Sequence, residues 1–187
     1  MFRNRLGKNG RLFFSGSVLV ATMLTSAAMA IENKPLPSFE VKNASGSTVD
    51  SSSWKIQGKW VVIYLEGRCA PCTHLLVRLT KDKYPQLASQ TIIIVGGAQA
   101  GDVKASQKEF PDLAQAKWYA DPERNAPKAL NLHGAPVTLG IEDKILRWAI
   151  SGVPPSPRLL PSVLKKWSAS QDQALPHVAA VPPSNSH

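Results

Sequence analysis

The stretch KWVVIYLEGRCAPCTHLLVRL, residues 59–79, decides the fold. Its first part, residues 60–65, shows no polar alternation and is rich in β-branched and aromatic side chains, the pattern of a strand buried on both faces. Cys69 and Cys72 follow directly. Beyond them Leu75, Leu76 and Leu79 form an apolar stripe at helical spacing, in a helix expected to end before Pro85. The order is therefore central strand, cysteine pair, helix.

Working outward, residues 91–95 form a second fully apolar strand closed by Gly96 and Gly97. Two such strands around one helix predict a βαβ unit with parallel strands and a right-handed crossover. Upstream, residues 39–41 alternate like a short strand and residues 43–46 supply turn chemistry, which predicts a small N-terminal hairpin. Downstream, a helix is expected over 102–113 with Asp102 as N-cap, and a strand over 117–120. A short helix over 122–130 capped by Asp121 should follow, then two strands over 137–141 and 144–150 that turn at Glu142 and Asp143. Residues 157–167 read as a closing helix with Leu159, Leu160, Val163, Leu164 and Trp167 on one face. The fold class is α/β, a central mixed sheet flanked by helices.

The 187 residues fit one domain with tails. Arg3, Arg5, Lys8 and Arg11 precede an apolar run over 12–24, and Ala28 and Ala30 then fit a small-residue cleavage site. Residues 1–30 are read as a signal peptide cleaved after Ala30; an uncleaved anchor is the alternative, and either exports the remainder. Residues 31–167 are the folded domain. Residues 168–187, rich in Ser, Pro, Ala and Gln without an apolar period, are read as a disordered tail.

The net charge of +9 falls to +5 once the four leader cations are removed, and the remaining lysines are scattered among acids. Nucleic-acid binding needs clustered basic and aromatic groups, so that class is excluded. The two cysteines close too short a loop to stabilise the fold much, which points to chemistry instead. A Cys-x-x-Cys at a strand-to-helix junction places the first sulfur at a helix N-terminus, where a thiolate is favoured. An inert bridge or half of a metal site is the competing reading. A zinc site would need further ligands at fixed spacing, and His74, His133, His177 and His187 do not supply them. No metal or cofactor is implied.

Residues 59–79 resemble the active-site strand and helix of the thioredoxin superfamily, and the Gly134-Ala135-Pro136-Val137 segment resembles that superfamily's cis-proline loop. With the N-terminal hairpin and the Asp121-Pro122 pair, the chain is most similar to the periplasmic TlpA-like branch, over roughly residues 34–167. The resemblance implies a periplasmic thiol–disulfide oxidoreductase in which Cys69 is the exposed nucleophile and Cys72 the buried resolving thiol. A cis bond at Ala135-Pro136 would let a substrate segment pair with Ala135. Protein thiols or disulfides are the implied partners, with a membrane redox donor for a reductase.

Departures from the family bear on direction. Arg68 replaces the usual tryptophan before the first cysteine; its cation would favour a Cys69 thiolate and lean the pair toward oxidation, while the branch leans toward reduction. Ile63 stands where thioredoxin buries an acid. Glu66 would replace that acid only if its carboxylate lay beneath the cysteines, and a solvent-facing side chain is the commoner outcome. His133 is a further candidate beside the loop, whereas His74 fits a solvent-facing helix position. A peroxiredoxin-like peroxidase is disfavoured because the Thr/Ser-x-x-Cys arrangement is missing. A non-catalytic assembly protein of an envelope complex is the alternative from another class.

Overall fold

The computed structural model describes residues 33–81 and 88–169; the leader expected over 1–30 and residues 170–187 of the expected tail lie outside them. One sheet of eight strands organises the chain, in the order β1-β8-β7-β4-β5-β6-β2-β3. Its centre is β4 (Lys59–Glu66), all of whose residues from Trp60 to Leu65 are buried. Side chains of successive strand residues point to opposite faces, so a strand apolar at every position needs cover on both.

That cover divides by parity. Val61, Ile63 and Leu65 face α1 (Ala70–Lys81), where they meet Leu75, Leu76 and Leu79. The same layer takes Val103 from α2 (Ala100–Glu109) and Leu160 and Leu164 from α4 (Leu159–Ala169). Trp60, Val62 and Tyr64 face the other way, onto Ala126 and Leu130 of α3 (Asn125–Leu130) and onto Phe39, Trp54 and Ile56 of the N-terminal segment. Arg78 and Lys81 in the last turn of α1 complement its negative end.

The expected βαβ unit is present: β5 (Thr91–Gly96) pairs with β4 in parallel from Val61↔Thr91 to Glu66↔Gly96. β6 (Lys117–Asp121) continues it in parallel, ending at Gly96↔Asp121. On the other side β7 (Val137–Glu142) runs antiparallel to β4, up to the Tyr64↔Val137 pair. The N-terminal hairpin is β2 (Glu40–Lys42) with β3 (Thr48–Asp50), attached to β6 at Lys42↔Ala120.

Several boundaries differ from the sequence reading, each for a local reason. The α2 helix is capped at Gln99, and Asp102 instead stands three residues inside, its Oδ2 accepting the Gln99 N–H at 2.8 Å. The α3 helix starts at Asn125 because the Asp121 carboxylate reaches past Pro122 to accept the N–H groups of Asn125 and Ala126. The turn into β8 (Ile145–Ser151) is formed by Asp143 and Lys144, both left-handed at φ 50° and 63°, one residue later than expected. Leu159 is 47% exposed at the first position of α4 rather than on its buried face, and α4 runs through Ala169. A two-residue strand, β1 (Lys34–Pro35), pairs with the start of β8 and left no pattern in the sequence.

Gly140 shows how tightly the β7–β8 layer is packed. The Trp148 indole lies across it, where a β-carbon would overlap the ring, and Trp148 in turn meets Trp167 edge-on at 5.6 Å. Gly140→Ala is expected to displace that indole and cost about 1–3 kcal/mol, read as an earlier denaturation midpoint with a changed near-ultraviolet dichroism. An unchanged midpoint would show that the indole pair gives way freely.

Candidate active site

The chain leaves β4 at Glu66, turns through Gly67 and Arg68, and enters α1 after Cys69. The turn is pinned to the neighbouring strand, since Gly67 N donates to Gly96 O at 3.0 Å. Arg68 takes a left-handed conformation, φ 59°, which a side chain with a β-carbon adopts reluctantly. Its side chain is exposed, with no hydrogen bond or ion pair to another described residue.

Cys69 and Cys72 are joined as a disulfide with Cα atoms 5.2 Å apart. The two sulfurs sit in different surroundings. Cys69 is half-buried at the mouth of α1, and its carbonyl accepts the N–H groups of Cys72 and Thr73 at 3.0 and 3.1 Å. Its Sγ also accepts the Cys72 N–H at 3.2 Å. A negative charge developing on that sulfur meets a backbone donor and the positive end of the helix. Cys72 is 3% exposed, inside the apolar layer that holds Ile63, Leu65, Leu75 and Leu76. Cys69 is thus partly exposed and Cys72 is not.

Opposite the cysteines, residues 131–136 lead into β7. Gly134 is left-handed at φ 100°, and the Ala135–Pro136 peptide is cis. Ala135 is half-buried and packs against both core layers, while Pro136 O accepts the Gly152 N–H at 2.7 Å. Two residues beyond the Tyr64↔Val137 pair, Ala135 comes to the same end of the sheet as Glu66. His133 is exposed in this loop, and His74 is exposed on α1.

Glu66 is not beneath the cysteines. It shares the Tyr64 face of β4, away from the layer that buries Cys72, and is held there by three side-chain donors. Tyr64 Oη donates to Oε1 at 2.6 Å, Arg124 Nε lies 3.1 and 3.2 Å from the two oxygens, and Arg124 Nη2 donates to Oε2 at 3.1 Å. Burial, with the Glu66 hydrogen bond, pushes the Tyr64 hydroxyl well above the usual phenol range. Asp121 is buried at the end of β6, one strand beyond β5, and its burial raises its carboxyl above the ordinary value despite two backbone donors. The sequence reading missed Tyr64 and Arg124. Tyr64 and Glu66 stand two apart on a strand and so must share a face, but Arg124 lies 58 residues from Glu66 with no local signal.

No protein-family model matches the chain, and no curated protein matches its sequence. Solved structures do match in shape. A thiol:disulfide interchange protein DsbE of Chlorobium tepidum aligns at TM-score 0.57 and 16% identity, over 74% of this chain and 96% of that one. The fold is that of thioredoxin. A second thioredoxin-family interchange protein of Chlorobium tepidum shares the thioredoxin fold at 0.55 and 18% identity, covering 73% and 97%. A secreted Mycobacterium tuberculosis disulfide oxidoreductase, described as homologous to Escherichia coli DsbE, follows at 0.54 and 13%, covering 70% and 95%. On this thioredoxin fold the cysteine pair lies at the strand-to-helix junction and the cis-proline loop at the same end of the sheet.

Asp121 gives this end of the sheet a pH signature. Its folded pKa lies above its unfolded value, so the unfolded chain loses the proton first as pH rises. Its contribution therefore favours the fold below the ordinary carboxylate range and is lost as pH climbs through the raised folded value. In Asp121→Asn this slope is expected to vanish from denaturation midpoints measured across that window. The variant should also lose about 1 kcal/mol, because an amide oxygen replaces only one of the two accepting carboxylate oxygens. A persistent slope would assign it to another group.

Proposed function

We propose that the chain is an exported thiol–disulfide oxidoreductase of the TlpA-like, DsbE-like branch, acting on protein substrates in the periplasm. The observation that carries this is the asymmetry of the pair: Cys69 accessible at a helix N-terminus with a backbone donor on its sulfur, Cys72 buried one turn along. The names of the solved relatives add support, as does the leader composition of residues 1–30. Reduction is favoured over oxidation, on the branch resemblance; Arg68 is the one feature that pulls the other way.

In the reducing direction the Cys69 thiolate attacks one sulfur of a substrate disulfide. The substrate S–S bond breaks, its second sulfur leaves as a thiolate and takes a proton, and a mixed disulfide forms on Cys69. Cys72, deprotonated, then attacks the Cys69 sulfur; the mixed bond breaks and the first substrate sulfur leaves as a thiolate, which takes up a proton. Two electrons have passed to the substrate, and the Cys69–Cys72 disulfide awaits a donor thiol or membrane redox partner. The substrate segment would lie between the Cys69 turn and the Ala135-Pro136 loop, with its backbone against Ala135. Ile63 leaves no buried acid at the thioredoxin position, so the proton of Cys72 must leave by another route.

Equilibration of the purified chain against dithiothreitol and glutathione tests the direction. A reductase is expected near roughly −270 mV, whereas a value near roughly −120 mV would mark an oxidant. Cys72→Ser should trap mixed disulfides with client proteins, and Cys69→Ser should form none. If Cys69→Ser leaves cellular function intact, the chain serves as a binding module in an envelope assembly.

A further inference from the structure

We propose that Arg124 is a positioning residue that tunes Cys69 by holding and neutralising the Glu66 carboxylate, leaving Arg68 to set the charge around the sulfur; this rests on the reading of Cys69 as the nucleophile. Glu66 precedes Cys69 by three residues, so their Cα atoms lie within about 11 Å even for a fully extended chain. That ceiling is somewhat above the Debye length of about 8 Å at physiological salt, and the turn through Gly67 and Arg68 brings the two closer than the ceiling. An unopposed carboxylate there disfavours the thiolate that the helix N-terminus and Arg68 favour.

Arg124 removes that opposition in a specific way. Its guanidinium reaches both Glu66 oxygens, at 3.1 to 3.2 Å. It lies directly over Gly97, where a β-carbon would stand 2.7 Å from Nη2. From below it is fixed by its own backbone, whose N–H donates to Asp121 O at 3.2 Å. Among the described residues, the other titratable groups acting on the pair are Tyr64, whose hydroxyl also donates to Glu66, and the buried Asp121. Arg68, by contrast, is exposed and engages no described residue through its side chain. The pair thus cancels itself at the end of β4.

A pair that merely braced the turn would predict the same direction of change whichever partner is lost. The electrostatic role predicts opposite directions. The measurement is iodoacetamide alkylation of Cys69 across a pH series in the full chain carrying Cys72→Ser. Added to that background, Arg124→Gln leaves Glu66 unopposed and is expected to slow alkylation at mildly acidic pH by about twofold, while Glu66→Gln frees the Arg124 cation and should speed it by about twofold. Arg124→Lys, which keeps the charge but loses the fork, should stay near the parent rate, as should the double variant lacking both charges. Near-ultraviolet dichroism of each variant checks that it is folded. Shifts in the same direction, or none, overturn the proposal. If the parent Cys69 alkylates no faster than free glutathione, the nucleophile reading itself falls, and this proposal with it.

Discussion

Burial of β4 on both faces is the constraint on which the rest depends. A strand apolar at every position from Trp60 to Leu65 can exist only in the middle of a sheet with helices or loops over each side. Once it is there, the chain must emerge at the sheet's carboxyl end. The first residues free to do chemistry are those of the turn that follows, and in this chain they are Gly67, Arg68 and Cys69. The α1 helix supplies the donors, and the buried layer beneath it supplies a place for Cys72 that water does not reach.

The elements that were legible in the sequence are those whose pattern is self-sufficient. Residues 60–65 and 91–95 are apolar without interruption, and the leucines of α1 fall at helical spacing, so strand, helix and their parallel pairing could be read directly. The cysteine pair needed only its place after the strand. What escaped depends on partners distant in the chain. The β1 strand is two residues long and exists because the start of β8 offers it a ladder. The start of α3 is set by a side chain, Asp121, that reaches past a proline, and the Asp143-Lys144 turn by two left-handed residues with no glycine to announce them.

Glu66 is the clearest case of a residue whose type was readable and whose role was not. A glutamate at the end of a buried strand is compatible with a proton relay, with solvent exposure or with an ion pair. Strand parity narrows the choice, because Glu66 must share a face with Tyr64, but the deciding partner arrives from the turn after β6. The Arg124 guanidinium lies over Gly97 as it reaches Glu66, and neither residue shows that arrangement in isolation. The loop at Ala135 and Pro136 was found only because its sequence resembles that of a known family; local pattern alone would have read Pro136 as the start of a strand.

The sheet ends in very short strands. One margin is β1, two residues that include Lys34 and Pro35, and the other is β3, three residues closing on Asp50. Neither presents the long, flat row of open backbone groups on which a foreign extended chain templates itself, and a lysine, a proline and an aspartate blunt what remains. β1 covers only Ile145 and Leu146 of β8, so among the described residues no strand pairs with residues 147–151 on that side. An extended peptide that meets this molecule finds poor footing along β1 and β3, and a longer one beside residues 147–151.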